Sequence, residues 1–294
     1  MEALIRRLRV RRCPVPFMIW FQERSGSTHL SRLLDMHPEI ICLAEDFHET
    51  IIEETGSSDY PPDQIYRDGA HLYGRKVSQF NRPPIAHPSS AQVVAHLHDI
   101  FSCPARACGF KFKHRIQKIL FPEILPELAA FGADLRLIVL SRQNVLKQAI
   151  SKQNMRRIVE TGAAPRNHAN LMATKNEREN PQTRVGFATP FQLDVPAAIQ
   201  YARQLQREQD AFEGTVQELC RQGVKHVRRV RYEQLLSDES NLLKSIFAWL
   251  DVDPEVEVEA FTRKATDDDL QRALANYDEL ARAVDGTDLA PMLV

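Results

Sequence analysis

Five short apolar runs bounded by turn residues recur along this chain, at Phe17 to Phe21, Ile40 to Leu43, Gly109 to Phe112, Leu135 to Leu140 and Val227 to Val230, with helical patterns between them. Strands joined through helices pair in parallel, because the crossover is long enough to bring the chain back to the starting edge. The alternation therefore predicts an α/β fold with a central, mostly parallel sheet flanked by helices on both faces. Leu135-Arg136-Leu137-Ile138-Val139-Leu140 is the clearest buried strand, since it is aliphatic and too short for a helix. The chain has 294 residues, a length at which α/β enzymes often close around one continuous sheet, so one domain over 1–294 is expected.

The helices carry readable ends. From Ser27 the apolar positions Leu30, Leu33 and Leu34 repeat at helical spacing, and Pro38 stops the pattern because the residue before proline avoids the α region. A long helix begins near Asp194 as N-cap, accepts Pro196 in its first turn and ends at Gly223. Two stretches break the alternation: Glu53 to Ser90 contains Pro61-Pro62 and Pro83-Pro84, and Thr161 to Gln192 is polar and rich in Asn, Thr and Pro. Both read as long irregular loops, either lining an acceptor site or lying as surface excursions. Trp20 and Trp249 stand in apolar runs and read as core.

Composition limits the partners. With 38 Lys plus Arg against 39 Asp plus Glu, the formal net charge is −1, which excludes the global basic field that nucleic-acid binding needs. An anionic ligand must then be held by a local cluster. The five cysteines (Cys13, Cys42, Cys103, Cys108, Cys220) show no CxxC spacing, so neither a disulfide framework nor a zinc site is expected, and they read as reduced thiols of a cytoplasmic protein. No run of 18 or more apolar residues exists for a membrane span. Residues 1–12 are Arg-rich but carry Glu2 and no Ser, which fits a solvated basic lead-in better than a transit peptide.

The strongest chemical signal is Phe21-Gln22-Glu23-Arg24-Ser25-Gly26-Ser27-Thr28-His29-Leu30, a short polar loop between a strand and a helix. Backbone N–H groups at a helix N-terminus are unsatisfied and point outward, and the helix dipole adds partial positive charge, so this is an anion site. Gly26 lets the chain approach closely, Ser25, Ser27 and Thr28 offer hydroxyls, and Arg24 supplies a forked cation. The loop lacks the second glycine and the lysine of GxxxxGK[ST], which separates it from a nucleotide-triphosphatase loop. A capped turn without ligand would look similar in isolation. A second segment, Leu140-Ser141-Arg142 onward, puts Arg142 at the carboxyl end of the best strand, the edge where open α/β sheets bind ligands, with Ser151 one helix segment later.

Taken together these segments resemble the sulfotransferases that use 3′-phosphoadenosine-5′-phosphosulfate (PAPS), most closely the bacterial carbohydrate branch with trehalose and nodulation-factor sulfotransferases. The resemblance spans nearly the whole chain and implies a P-loop-NTPase-like sulfotransferase fold. It implies that Arg24 to His29 grips the 5′-phosphosulfate, that Arg142 and Ser151 hold the 3′-phosphate, that Tyr232 in Arg231-Tyr232-Glu233-Gln234-Leu235-Leu236-Ser237-Asp238 lies on the adenine side, and that Arg263 and Lys264 touch the 3′-phosphate. The chain departs from the family where Arg24 stands in place of the lysine of animal cytosolic members, where one extra residue separates Arg142 from Ser151, and where Ala265 replaces a usual Gly.

The activity implied is transfer of a sulfuryl group from PAPS to a hydroxyl of a carbohydrate or small molecule, releasing PAP (3′-phosphoadenosine-5′-phosphate) without a metal. Glu45, just past the strand Ile40–Leu43 and similar in place to the bacterial branch's base, is the candidate general base, with His48 and His29 as alternatives. Lys111 and Lys113 alternate with aromatics in Gly109-Phe110-Lys111-Phe112-Lys113 and read as the solvent face of an ordinary strand, or else as a basic acceptor groove. Two other classes fit parts of the pattern: a PAP- or nucleotide-binding module without turnover, and a small-molecule kinase, which would need Mg²⁺ and a nucleoside triphosphate.

Overall fold

The computed structural model describes residues 14–43, 97–98, 100–114, 124–161, 190–259 and 266–294. The described residues form one α/β domain. Its five strands are β1 (Val15–Phe21), β2 (Ile40–Leu43), β3 (Ala107–Lys113), β4 (Arg136–Ser141) and β5 (His226–Arg231), all parallel, in the order β2-β3-β1-β4-β5. Each of the five apolar runs is a strand.

Side chains along β1 divide by the two-residue period of a strand. Met18 and Trp20 enter a core with Phe110, Phe112, Leu137 and Val139, closed by Phe212, Val216 and Leu219 of the long helix α4 (Val195–Arg221). Phe17, Ile19 and Phe21 enter the opposite core, closed by Leu30, Leu33 and Leu34 of α1 (Ser27–Met36) and by residues 242–250. α2 (Ile124–Ala130) adds Leu128 to the first core, and α3 (Val145–Glu160) follows β4. Gly109 of β3 packs so close to β1 that a Cβ there would lie 2.2 Å from the Phe17 carbonyl oxygen. Strand β5 forms an edge, and its His226, Arg229 and Arg231 are exposed, the charged character that discourages edge-to-edge pairing.

Local signals set the helix ends. α1 stops at Met36 with His37 extended before Pro38. α4 is capped by the Asp194 carboxylate, which accepts from the Ala197 N–H at 3.0 Å, with Pro196 in the first turn. The C-terminal residues then build a layer that local pattern does not announce. The short helices α5 (Tyr232–Ser237) and α6 (Glu239–Trp249) follow β5, and α7 (Leu270–Ala273) and α8 (Tyr277–Val284) lie against α3 and α4 in a third core that includes Ile150, Ala198, Leu205 and Leu280. Phe191 bridges Leu274 in parallel, and Asn276 exchanges side-chain hydrogen bonds with both backbone groups of Leu193.

Trp20 is core, stacked between Phe112 and Phe212. Trp249 corrects the expectation of a core residue: it is only half-buried, with the Arg136 guanidinium 5.8 Å from its ring centroid, because α6 covers the sheet near its edge. No described helix is long and apolar enough to cross a membrane. Cys42, Cys103 and Cys108 are buried free thiols and Cys220 is an exposed one. Residues 1–13, Glu53 to Ser90 and most of Thr161 to Gln192 lie outside the described residues.

Candidate functional site

The strand order fixes where a ligand site can form. From β1 the chain passes over β3 to β2, whereas from β4 it passes outward to β5, so the adjacent strands β1 and β4 send their connections in opposite directions. Open α/β sheets bind ligands at that switch point, beyond the carboxyl ends of the strands. The loop 22–26 leaves β1 there, and Arg142 leaves β4 beside it.

The loop is held in an uncommon conformation. Arg24 has φ 62° and Gly26 φ 85°, both left-handed. Gly26 is the N-cap of α1 and offers no side-chain cap, so the first N–H groups of the helix remain directed outward. The ring of Tyr232, at the start of α5, packs against Gly26, where an added Cβ would meet Tyr232 Cδ2 at 2.4 Å. Gly26→Ala is therefore expected to lose about 1–2 kcal/mol from the left-handed backbone alone, plus the displacement of Tyr232. Urea melts read the combined loss; an alanine variant of unchanged stability would remove Gly26 as a close-approach residue.

Side chains from distant elements meet at this loop. Arg24 donates from Nε and from a terminal nitrogen to Ser151 Oγ at 3.2 and 3.1 Å, joining the loop to α3. Arg142 donates to the Arg24 carbonyl at 3.4 Å and lies 4.4 Å above the Tyr232 ring centroid. Burial pulls the Arg142 pKa down from its ordinary value, against the opposing fields of Tyr232, Glu233 and Asp268. The guanidinium stays protonated regardless, so the direction records its desolvation and the gain available from an anionic partner. Its Nε is buried and has no hydrogen-bond acceptor among the described residues; Ser25 Oγ, fully buried in the same loop, likewise has no partner there. Beside them Glu233 Oε1 accepts the N–H groups of Gln143 and Asn144 at 3.0 and 3.1 Å, fixing the turn that carries Arg142 into α3.

Lys111 and Lys113 overturn the reading as a solvent face. β3 lies between β2 and β1 and is covered on both faces, so the lysines are 3% and 6% exposed. Lys111 Nζ donates to Thr28 Oγ1 at 2.9 Å, which places a cation at the N-terminus of α1 and leaves the Thr28 hydroxyl proton available to another acceptor. Lys113 Nζ lies 3.9 Å from Glu23 Oε2, and the same oxygen accepts from Lys152 Nζ at 2.8 Å and from the Tyr201 hydroxyl at 3.4 Å. Burial by itself pushes the Glu23 carboxyl up, but Lys113, Lys152 and Arg24 outweigh it and hold it below its ordinary value. Motif reading gave Glu23 and Lys152 no role, and it read Lys111 and Lys113 as a solvent face or an acceptor groove, without the contacts they make beside the loop. A lysine directed inward from a strand covered on both faces is the available signal, and it depends on knowing that β3 is central.

His29 does not stand alone at the helix: its Nε2 lies 2.6 Å from Glu239 Oε2 at the start of α6. Ser27 is buried in the first turn of α1. Glu45, His48, Arg263 and Lys264 lie outside the described residues.

No protein-family model and no curated protein matches the sequence. Solved structures do show likenesses. A sulfotransferase from Alicyclobacillus acidocaldarius is similar at 19% identity and a TM-score of 0.42, over 96% of this chain and 99% of that one. The sulfotransferase domain of a Synechococcus olefin synthase is similar at 18% identity and 0.40, over 93% and 88%. A Mycobacterium avium sulfotransferase is similar at 14% identity and 0.43, over 98% and 81%.

Proposed function

We propose that this chain is a sulfotransferase that moves a sulfuryl group from PAPS to a hydroxyl of a carbohydrate or small-molecule acceptor and releases PAP. The observation that carries the reading is Arg142, half-buried with its Nε fully buried and without an acceptor among the described residues, set beside an uncapped helix N-terminus and the Arg24–Ser151 pair. A desolvated guanidinium is costly unless an anion completes it. A ligand with phosphates at two positions on one nucleoside suits a site with two separate cation centres.

In this reading the N–H groups of α1, Ser25, Ser27, Thr28 and Arg24 bind the 5′-phosphosulfate. Arg142 and Ser151 hold the 3′-phosphate, with Tyr232 on the adenine side and Arg263 and Lys264 as further contacts. His29, held by Glu239, fixes the first turn of α1. Sulfuryl transfer is an in-line displacement: the acceptor oxygen bonds to sulfur, the bond from sulfur to the phosphate oxygen breaks, and the acceptor proton passes to Glu45 or, in its place, His48. The enzyme's work is positioning and stabilisation of charge on the departing phosphate. Arg24 and the helix amides supply that charge stabilisation, and Lys111 adds a fixed cation at the same turn.

Calorimetry on the purified chain tests the reading. PAP should bind more tightly than AMP, which lacks the 3′-phosphate. Arg142→Ala should weaken PAP by about one to two powers of ten, the equivalent of roughly 1.5–3 kcal/mol for hydrogen bonds to a charged group, and should leave AMP nearly unchanged. Equal affinity of the parent for PAP and AMP would overturn it.

A further inference from the structure

Arg24 is one of two non-glycine residues with positive φ among the described residues, the other being Asp251. A left-handed L-residue costs about 1–2 kcal/mol and persists where the surroundings over-determine it. Besides the Arg142 contact to the Arg24 carbonyl, one face of α3 supplies several of the bonds to this turn. Gln148, Ser151 and Lys152 stand at helical i, i+3 and i+4 spacing and so share that face. The Gln148 side-chain amide donates to the Glu23 carbonyl, Ser151 accepts from Arg24, and Lys152 donates to the Glu23 carboxylate. Residue 23 is therefore pinned through both main chain and side chain at the point where the chain turns into the left-handed region. Its carboxylate also draws in Lys113 from β3 and Tyr201 from α4, so three separate elements converge on the residue before Arg24.

We propose that Glu23 is a positioning residue for the transfer reaction, holding the 23–24 turn against α3 so that the Arg24 guanidinium is already aimed at the departing phosphate before the donor binds. The inference rests on the sulfotransferase reading of the site, and it adds a residue outside the phosphate-binding set. Preorganisation of this kind acts on the rate more than on ground-state binding, because a donor dipole misplaced by about 1 Å can cost about 10²-fold. Removing the Glu23 charge also leaves Lys113 and Lys152 with one carboxylate fewer beside an anion site. PAP binding should then hold or tighten while the rate falls, a split that loss of a merely structural contact does not produce.

The experiment compares the parent, Glu23→Gln and Lys152→Met by hydrogen exchange of the unliganded proteins, PAP calorimetry and steady-state transfer. The expected result in both variants is faster exchange confined to amides 23–28, a PAP dissociation constant no weaker than about threefold above the parent, and a kcat lower by about tenfold or more. The double variant should fall little further, since both changes break one contact. Exchange at 23–28 equal to the parent in both variants overturns the proposal, as does a parallel loss of PAP binding and kcat. A parent that neither binds PAP nor transfers sulfuryl fails the sulfotransferase reading instead, and the exchange comparison alone then decides whether Glu23 holds the loop. Should Glu23→Gln not fold, Lys152→Met carries the same comparison.

Discussion

Arg24→Ala is expected to lower kcat by about 10²- to 10³-fold, the usual consequence of deleting one preorganised donor to developing charge, while the KM for PAPS rises far less. The asymmetry follows from geometry. Arg24 is already committed to Ser151, so under the proposed function binding of the donor would rely on the α1 amides, Lys111 and Arg142, whereas charge on the departing phosphate would need the guanidinium. Arg24→Lys should fall between parent and alanine, because an ammonium keeps the charge but not the fork that reaches Ser151 and the phosphate together. Steady-state kinetics at saturating acceptor separates the outcomes. A large rise in KM with kcat preserved would make Arg24 a binding residue only.

Glu45→Gln is expected to lower the rate by about 10²- to 10⁴-fold with folding and PAP affinity nearly unchanged, because the amide keeps the carboxylate's shape and removes its ability to take a proton. The chain leaves β2 at Leu43 on the same sheet edge as loop 22–26, and Glu45 follows two residues later in the sequence. In the parent, kcat/KM should fall on the acid side as the carboxyl becomes protonated and can no longer accept; the glutamine variant should lose that limb. A variant retaining more than about half of the parent rate across pH excludes Glu45 as a base that matters, and His48 becomes the next residue to replace. His29 follows it, although its bond to Glu239 ties up one ring nitrogen.

Much of the site was legible because its parts are local. A strand, a polar loop with Gly26 and a helix are contiguous, and Arg142 follows the run that reads most clearly as a buried strand, so the rule for carboxyl edges of parallel sheets brings them together from pattern alone. The lysines of β3 were not legible. Gly-Phe-Lys-Phe-Lys alternates as a half-wet strand does, and only the central place of β3 in a sheet with a core on each face buries both of its sides and sets Lys111 and Lys113 beside Thr28 and Glu23. Glu23 was hidden for a similar reason. Its partners lie on α3, α4 and β3, and nothing in its neighbourhood along the chain distinguishes it from a solvated carboxylate.

The sequence by itself determined what depends on near neighbours: the positions of all five strands and the ends of α1 and α4. Hydrophobic periodicity, proline and glycine act within a few residues, so they speak through the chain alone. Tertiary structure alone decided the strand order, the packing of residues 266–294 against α3 and α4, the seating of Tyr232 on Gly26 across more than two hundred residues, and the burial of Lys111, Lys113 and the Arg142 Nε. These depend on which surfaces meet once the sheet has formed. A charged side chain is buried only where a partner from elsewhere in the chain makes burial tolerable, and no local pattern carries that partner's address.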